Sequence, residues 1–339
     1  MQGMEAMAQA TKLTPRRQAM MAWAESLFAE CQIEYLAGDA SFRRYFRLTV
    51  ATKSYVVMDA PPEVERSHSF VLIAKALADC GVKTPQIISQ DLEQGFLLLE
   101  DLGDVLYLST LSAANADQLY GKALQSLLKI AQCQKIPDYE LPVFSRQRYL
   151  EELVWFEQWY VDQYIERPLS VSQRAVLQEM FDLIVNQALA QPQVLVHKDY
   201  HSRNLLLLEN GAVGVIDFQD ALIGPITYDL MSLLYDHYIA WPYEKVVQWA
   251  RLYQQQLLQA GLLQHDDMSE FMRWHDWLAL QRIMKNLGNF VRLKLLHNKP
   301  AYYQDIPRIY QYLLDITQRY PELAPLASLL QCYRPEALR

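Results

Sequence analysis

Several ordinary signals are missing from this sequence, and each gap removes a class of function. There is no excess of basic residues: 31 Lys and Arg stand against 39 Asp and Glu, a formal net charge of −8. A general nucleic-acid binder needs Lys/Arg patches to meet the phosphate backbone, so that class is excluded. The cysteines are few and scattered: Cys31, Cys80, Cys133 and Cys332 form no C-x-x-C pair and have no local His partner. They suggest neither a zinc site nor a disulfide framework, and the expectation is four buried thiols in a reducing cytoplasm. No uninterrupted apolar run approaches the roughly 18 residues of a membrane span. The first twelve residues are rich in Met and Ala but lack a hydrophobic signal core, so they read as a loose start. Internal repeats and low-complexity stretches are absent.

What is present fits a folded protein with a core of good size: 51% hydrophobic and 21% charged residues over a length that suggests about two domains. The most informative stretch is 194–220, VLVHKDYHSRNLLLLENGAVGVIDFQD. Two apolar runs, Leu205–Leu208 and Val213–Ile216, flank Asn210-Gly211, the strongest short hairpin signal. With Asn210 and Gly211 as a two-residue type I′ loop, the register pairs Leu208 with Val213 and Leu206 with Val215, and sets Asn204 opposite Asp217. An Asn and an Asp at the open end of one hairpin, with Asp199 in the preceding loop, suit metal-assisted phosphoryl transfer. Mg²⁺ takes one or two hard protein oxygens plus phosphates, and a further carboxylate must orient the attacking hydroxyl and accept its proton. Asp199 and Asn204 have the D-x-x-x-x-N spacing of a kinase catalytic loop, and Asp217-Phe218-Gln219 stands where D-F-G would be.

The stretch resembles the Brenner motif of the aminoglycoside phosphotransferase and choline kinase superfamily, whose fold is similar to that of protein kinases. HKDYHSRNLL, GVIDFQDALIGPITYDLMSLL and, later, QRIMKNLGNFVRL look most like the anomeric N-acetylmuramate and N-acetylglucosamine kinases of cell-wall recycling. The resemblance runs from about Gly38 to about Tyr310. It implies an α+β, protein-kinase-like two-lobe fold: a small antiparallel N-terminal lobe over residues 1–100 that binds nucleotide, and a helical lobe over 101–339 with the catalytic loop and acceptor site. It further implies ATP and Mg²⁺ bound between the lobes, Asp199 as catalytic base, and Asn204 and Asp217 as metal ligands. The acceptor is a small sugar, with no nucleic acid, membrane or obligate protein partner, and the setting is cytoplasmic.

Along the chain, Thr14-Pro15 opens a helix that ends near Cys31, followed by strands near Ile33–Leu36, Tyr45–Val50 and Tyr55–Met58. The Gly38–Phe42 turn is either a phosphate loop that uses backbone N–H groups or a plain hairpin; Ser41, Phe42, Arg43 and Arg44 are its candidate nucleotide contacts. Met58 occupies the position where protein kinases carry the phosphate-pairing lysine. Arg43 or Arg44, then Lys53, are the substitutes at hand, and the gap keeps a pseudokinase reading open. Glu63 to Cys80 reads as a helix, with Glu63 and Glu65 either as capping charges at its N-terminus or in a catalytic ion-pair role. Phe96–Leu99 runs into Glu100-Asp101-Leu102-Gly103, which resembles the hinge whose backbone, at Glu100 and Leu102, reads adenine. Beyond it the pattern is helical, with an aromatic stripe at Tyr149, Trp155, Phe156, Trp159 and Tyr160 expected in the core. Gln219 and Asp220 are candidate acceptor contacts, and Asp229 is placed to brace the catalytic loop. On the helix from Met268, Arg282, Asn286 and Asn289 form one polar line with Lys285 adjacent. That line is a solvated face, or Arg282 or Lys285 meets an acidic substituent of the acceptor. An aminoglycoside, choline or another sugar is the alternative acceptor.

Overall fold

The computed structural model describes residues 14–38, 42–133 and 135–338. Contacts divide the chain into two compact units: residues up to 105 with 135–140 and 206–219, and residues 106–134 with 141–205 and 220–339.

The first unit begins with helix α1, Pro15–Leu27, where the Thr14 hydroxyl accepts the Arg17 N–H and Pro15 takes the first turn, in which no intrahelical donor is needed. Strands β1 (Gln32–Gly38), β2 (Arg44–Val50) and β3 (Lys53–Asp59) follow, then helix α2 (Ser67–Asp79), β4 (Ile87–Asp91) and β5 (Phe96–Glu100). They form one antiparallel sheet in the order β1-β2-β3-β5-β4. Alternation sends Phe46, Leu48, Val57, Phe96 and Leu98 to one face, where Met20 and Ala24 of α1 complete a buried core. Met58 is fully buried and lies in register with Tyr45 and Leu97.

Strands β7 (Leu205–Leu207) and β8 (Val213–Val215) pair as a small hairpin, but not in the register counted from the sequence. Gly211 N–H donates to Leu208 O (2.7 Å) and Leu208 N–H to Ala212 O (3.0 Å), so Leu208 pairs with Ala212. Only Gly211 has positive φ, and the Asn210 side chain accepts the Ala212 N–H (2.9 Å). This is a type I turn with a glycine bulge, which takes three loop residues and needs one left-handed residue where type I′ needs two. The count that set Asn204 opposite Asp217 is therefore off by one residue. The β8 strand is stitched to its own unit by Val215 N–H to Lys83 O (2.8 Å), and Leu207 N–H reaches Val105 O (2.8 Å).

The second unit contains helices α3 (Ala116–Gln132), α4 (Arg146–Trp155) and α5 (Val171–Leu189), with α4 continuing as a π-helix over Phe156–Tyr164. Strand β6 (Gln193–Val196) then pairs antiparallel with β9 (Leu222–Pro225), and the chain finishes with α6 (Tyr228–Leu234), α7 (Tyr243–Gln259), α8 (Met268–His297), α9 (Ile306–Thr317) and α10 (Ala324–Cys332). Three residues of the aromatic stripe, Tyr149, Phe156 and Tyr160, are fully buried in the core, whereas Trp155 and Trp159 stay partly exposed. The central element is α8, 30 residues long and buried on several sides, with polar residues such as Asp276, Gln281, Arg282 and Asn286 among those it buries. It packs on α4, the π-helix, α5 and α9. The closest approach is at Gly288, where an added Cβ would lie 2.2 Å from Trp155 O.

Cys31 and Cys332 are free thiols, and neither Cys80 nor Cys133 is. That corrects the expectation of four thiols, since such a state leaves no mark in cysteine spacing.

The Gly288 contact makes a prediction. Gly288→Ala forces backbone against backbone, and the overpacking should cost about 1–3 kcal/mol. It would be read as a lower urea midpoint at unchanged m-value; an unaltered midpoint would mean that α8 yields at this crossing.

Candidate active site

The loop after β6 is built around backbone groups held by buried acids. The Asp229 carboxylate accepts the N–H groups of His197 (2.6 Å) and Lys198 (2.9 Å), and Asp236 accepts those of Ser202 (2.9 Å) and Tyr238 (2.9 Å). Lys198 has φ +80, a conformation that L residues avoid, and the paired bonds from Asp229 hold it there. The Asn204 amide nitrogen donates to Asp199 O (2.9 Å), closing the loop on itself and directing the amide by its oxygen elsewhere. Tyr200 is fully buried, and its hydroxyl donates to Ala123 O (2.8 Å).

Asp199 is the carboxylate this loop presents, with about a third of its side chain exposed (34%). Arg282 of α8 donates from Nη2 to Asp199 Oδ1 (3.0 Å) and from Nη1 to Lys198 O (2.7 Å). Burial acts to raise the Asp199 carboxyl, but the positive charges of Arg282 and Lys285, with His201 and Lys198, outweigh it and hold the group well below the usual carboxylate range. Asp199 is thus an anion throughout the working pH range. Arg282 itself stays charged, since Tyr228 and Asp199 more than offset its burial.

In the other unit, Asp217 follows β8 in a left-handed conformation (φ +66), and Gln219 Nε2 donates to its Oδ1 (2.6 Å). Phe218 is buried and stacks on Phe70 of α2 at 4.9 Å between ring centroids. Asp220 is exposed. A carboxylate on a constrained backbone turn is chemically suited to a hard divalent cation, and so is an amide fixed with its nitrogen spent, as at Asn204. Ser41 lies outside the described residues. Phe42 N–H donates to Glu65 Oε1 (3.0 Å), and Arg43, 8% exposed, pairs with Glu65 at 2.7 Å. This corrects the reading of Glu65 as a helix-terminal charge: α2 starts only at Ser67, after a turn at Pro61-Pro62. Arg44 is held by Asp59 (2.6 Å), which also bonds Arg16. At the hinge, the Glu100 N–H is committed to Gln86 O (2.8 Å). Neither the N–H nor the C=O of Leu102 is hydrogen-bonded among the described residues. Arg47 clamps this segment through Asp101 (2.7 Å) and Asp104 (2.7 Å).

A family model described as phosphotransferase enzyme family matches residues 32–283, a span that holds the loop, the hinge and Arg282. The chain belongs to this phosphotransferase family. Proteins named N-acetylmuramate/N-acetylglucosamine kinase are similar to it along most of their length. One from Pseudomonas putida is 42% identical over 295 residues, 87% of this chain and 86% of that protein, and one from Neisseria meningitidis is 38% identical over 313 residues, 91% and 93%. Among solved structures, the ADP-bound aminoglycoside phosphotransferase APH(2'')-Ib is similar in fold, with TM-score 0.60 and 14% identity over 92% of this chain and 98% of that one. A choline kinase from Cryptosporidium parvum has TM-score 0.59 and 12% identity over 93% and 97%. The fold is accordingly the protein-kinase-like α+β fold of these phosphotransferases, with an N-terminal antiparallel sheet and a mostly helical remainder. The chain is a phosphotransferase enzyme. No helix of the described residues is long and apolar enough to cross a membrane.

Sequence reasoning missed three of these features. Asp236 bridges the loop from 34 residues away, Arg47 clamps the hinge, and Arg282 grips Asp199, none with a local pattern that announces it.

The Asp229 brace leads to a pH prediction. Burial raises its carboxyl to about 6, against the pull of His197 and the two N–H bonds. The folded state therefore binds this proton more tightly than the unfolded chain, and its contribution to stability is fully present below about pH 4 and is lost as pH rises through about 6. Asp229→Asn should remove that slope from a plot of melting temperature against pH. It should also cost about 1–3 kcal/mol, because one of the two buried N–H groups loses its acceptor.

Proposed function

We propose that this phosphotransferase is an ATP-dependent kinase for the anomeric C1 hydroxyl of N-acetylmuramate and N-acetylglucosamine, acting in the recycling of cell-wall peptidoglycan. The observation that carries the reading is Asp199: an anionic, fixed, partly exposed carboxylate ringed by Arg282, Lys285 and Lys198. A hemiacetal hydroxyl is more acidic than an ordinary alcohol, so a base weakened by neighbouring cations still suffices to orient it. In phosphoryl transfer through a loose transition state, positioning and charge neutralisation supply most of the acceleration, and the proton moves late. The C1 oxygen forms its bond to the γ-phosphorus as the bond to the β–γ bridging oxygen breaks. Asp199 receives the hydroxyl proton, and ADP leaves with the electron pair.

Residues 1–100 would supply the nucleotide lobe and 101–339 the acceptor lobe. Leu102 would meet the adenine edge through its backbone. Asp217 and Asn204 would hold Mg²⁺, which when bound supplies neutralising charge to the phosphates. Arg43, set by Glu65, is the cation we assign to the phosphates in place of the lysine missing at Met58. Gln219, bonded to Asp217, would set the orientation of that carboxylate. The cationic surroundings of Asp199 oppose a polycationic aminoglycoside or choline as acceptor. A pseudokinase would have no need of Asp199, Asn204 and Asp217 together.

The decisive assay offers ATP·Mg²⁺ with N-acetylmuramate, N-acetylglucosamine, plain hexoses, choline and kanamycin, and reads the product by phosphorus–proton NMR. A sugar 1-phosphate from the N-acetyl sugars alone is expected, and transfer to kanamycin or choline would replace this reading. Asp199→Asn should abolish turnover while nucleotide affinity stays nearly intact, whereas Asp217→Asn should weaken metal-nucleotide binding as well. For Arg43→Met we expect KM for ATP to rise about tenfold, the size of one charge-assisted contact, with partial recovery in Arg43→Lys. An unchanged KM would move that role to Arg44 or Lys53.

A further inference from the structure

Between residues 281 and 292 of α8 the polar side chains are almost all engaged. Gln281 donates to Glu152 Oε2 (3.1 Å), Arg282 to Asp199 and Lys198 O, and Asn286 meets His237 Nε2 (3.1 Å). Arg292 donates to Asn289 Oδ1 (3.0 Å). Lys285 alone differs: half-buried, it makes no hydrogen bond or ion pair among the described residues. It sits three residues after Arg282, the spacing of side chains that share a helix face.

The two carboxylates that act on it, Glu152 and Asp199, are both engaged elsewhere. Glu152 takes the Gln281 amide and lies 3.9 Å from Arg148. Asp199 is taken by Arg282. Arg282 and Lys198 add positive charge to the same neighbourhood. A cation that is partly desolvated and has like charges beside it is costly to keep unless a ligand supplies the anion. Burial accordingly pushes the Lys285 amine below its ordinary range, with Glu152 and Asp199 drawing it back. Such a group gains most from an incoming carboxylate.

We propose that Lys285 is the acceptor-specificity residue, its ammonium receiving a carboxylate carried by the sugar while Arg282 holds the base. Arg282 spends both of its terminal nitrogens on the loop, and so Lys285 rather than Arg282 is assigned as the acceptor contact. The inference rests on the kinase reading above and names what distinguishes its two substrates: N-acetylmuramate carries a lactyl carboxylate, and N-acetylglucosamine has a hydroxyl there.

The test compares the full-length wild type with Lys285→Met and Lys285→Arg on the two sugars with ATP·Mg²⁺. Thermal melts establish that each variant is folded. We expect the ratio of kcat/KM for N-acetylmuramate to that for N-acetylglucosamine to fall about tenfold or more in Lys285→Met, through KM, and to recover in part in Lys285→Arg. An unchanged ratio, whatever the absolute rates, overturns the proposal; an equal loss of kcat on both sugars would place Lys285 on the transferred phosphoryl group instead. Calorimetric binding of each sugar in the presence of ADP needs no turnover. Should the wild type phosphorylate neither sugar, binding of N-acetylmuramate that weakens in Lys285→Met would sustain the carboxylate site while the kinase reading failed. Binding that is absent, or indifferent to the substitution, would overturn the site as well.

Discussion

Backbone N–H groups held by buried carboxylates are the constraint on which the catalytic loop depends. Asp229 fixes the start of the loop with two N–H groups and Asp236 its middle with one, that of Ser202, and only then can Lys198 keep a conformation that its side chain disfavours. Charged acceptors are used because a bond to an ion is about twice as strong as a neutral one. The arrangement is expensive in solvation, with Asp229 2% and Asp236 1% exposed. What it secures is a fixed loop backbone from which Asp199 projects toward Arg282.

The same economy of means recurs in the sheet unit. Protein kinases bridge strand and helix with a lysine and a glutamate; here the strand position is a buried methionine, and an ion pair is made instead by Arg43, just before β2, and Glu65, before α2. The hinge is likewise held from β2, by Arg47 on two aspartates. Both devices set an arginine guanidinium on carboxylates rather than a long flexible lysine.

How much of this was legible depended on range. Periodicity and capping placed α1, the three first strands and the long α8 within a few residues, because those signals are local: Thr14 and Pro15 start the helix they announce, and alternation puts Phe46 and Leu48 on the core face. The motif order around Asp199, Asn204 and Asp217 pointed to the family for the same reason. The hairpin register failed on a subtler point. Asn-Gly satisfies both type I′ and the bulged type I turn, and nothing in two apolar strands chooses between them until the Asn210 side chain is seen to cap Ala212. The start of α2 was misplaced because the ion pair that claims Glu65 comes from Arg43, 22 residues earlier. Arg282 read as a surface residue or a ligand contact, since its partners lie more than 80 residues away.

Helix α8 has one more implication. It rises about 5.4 Å per turn and is pinned from behind by the Gly288 contact with Trp155, so it behaves as a rigid ruler. Arg282 and Lys285 are separate graduations on it, one bonded to Asp199 and the other without a hydrogen bond or ion pair among the described residues. Under the roles proposed for Asp199 and Lys285, reactivity and substrate preference would be written at different marks of a single rod, and exchange of the residue at position 285 would change the sugar that is welcomed without disturbing the grip on Asp199.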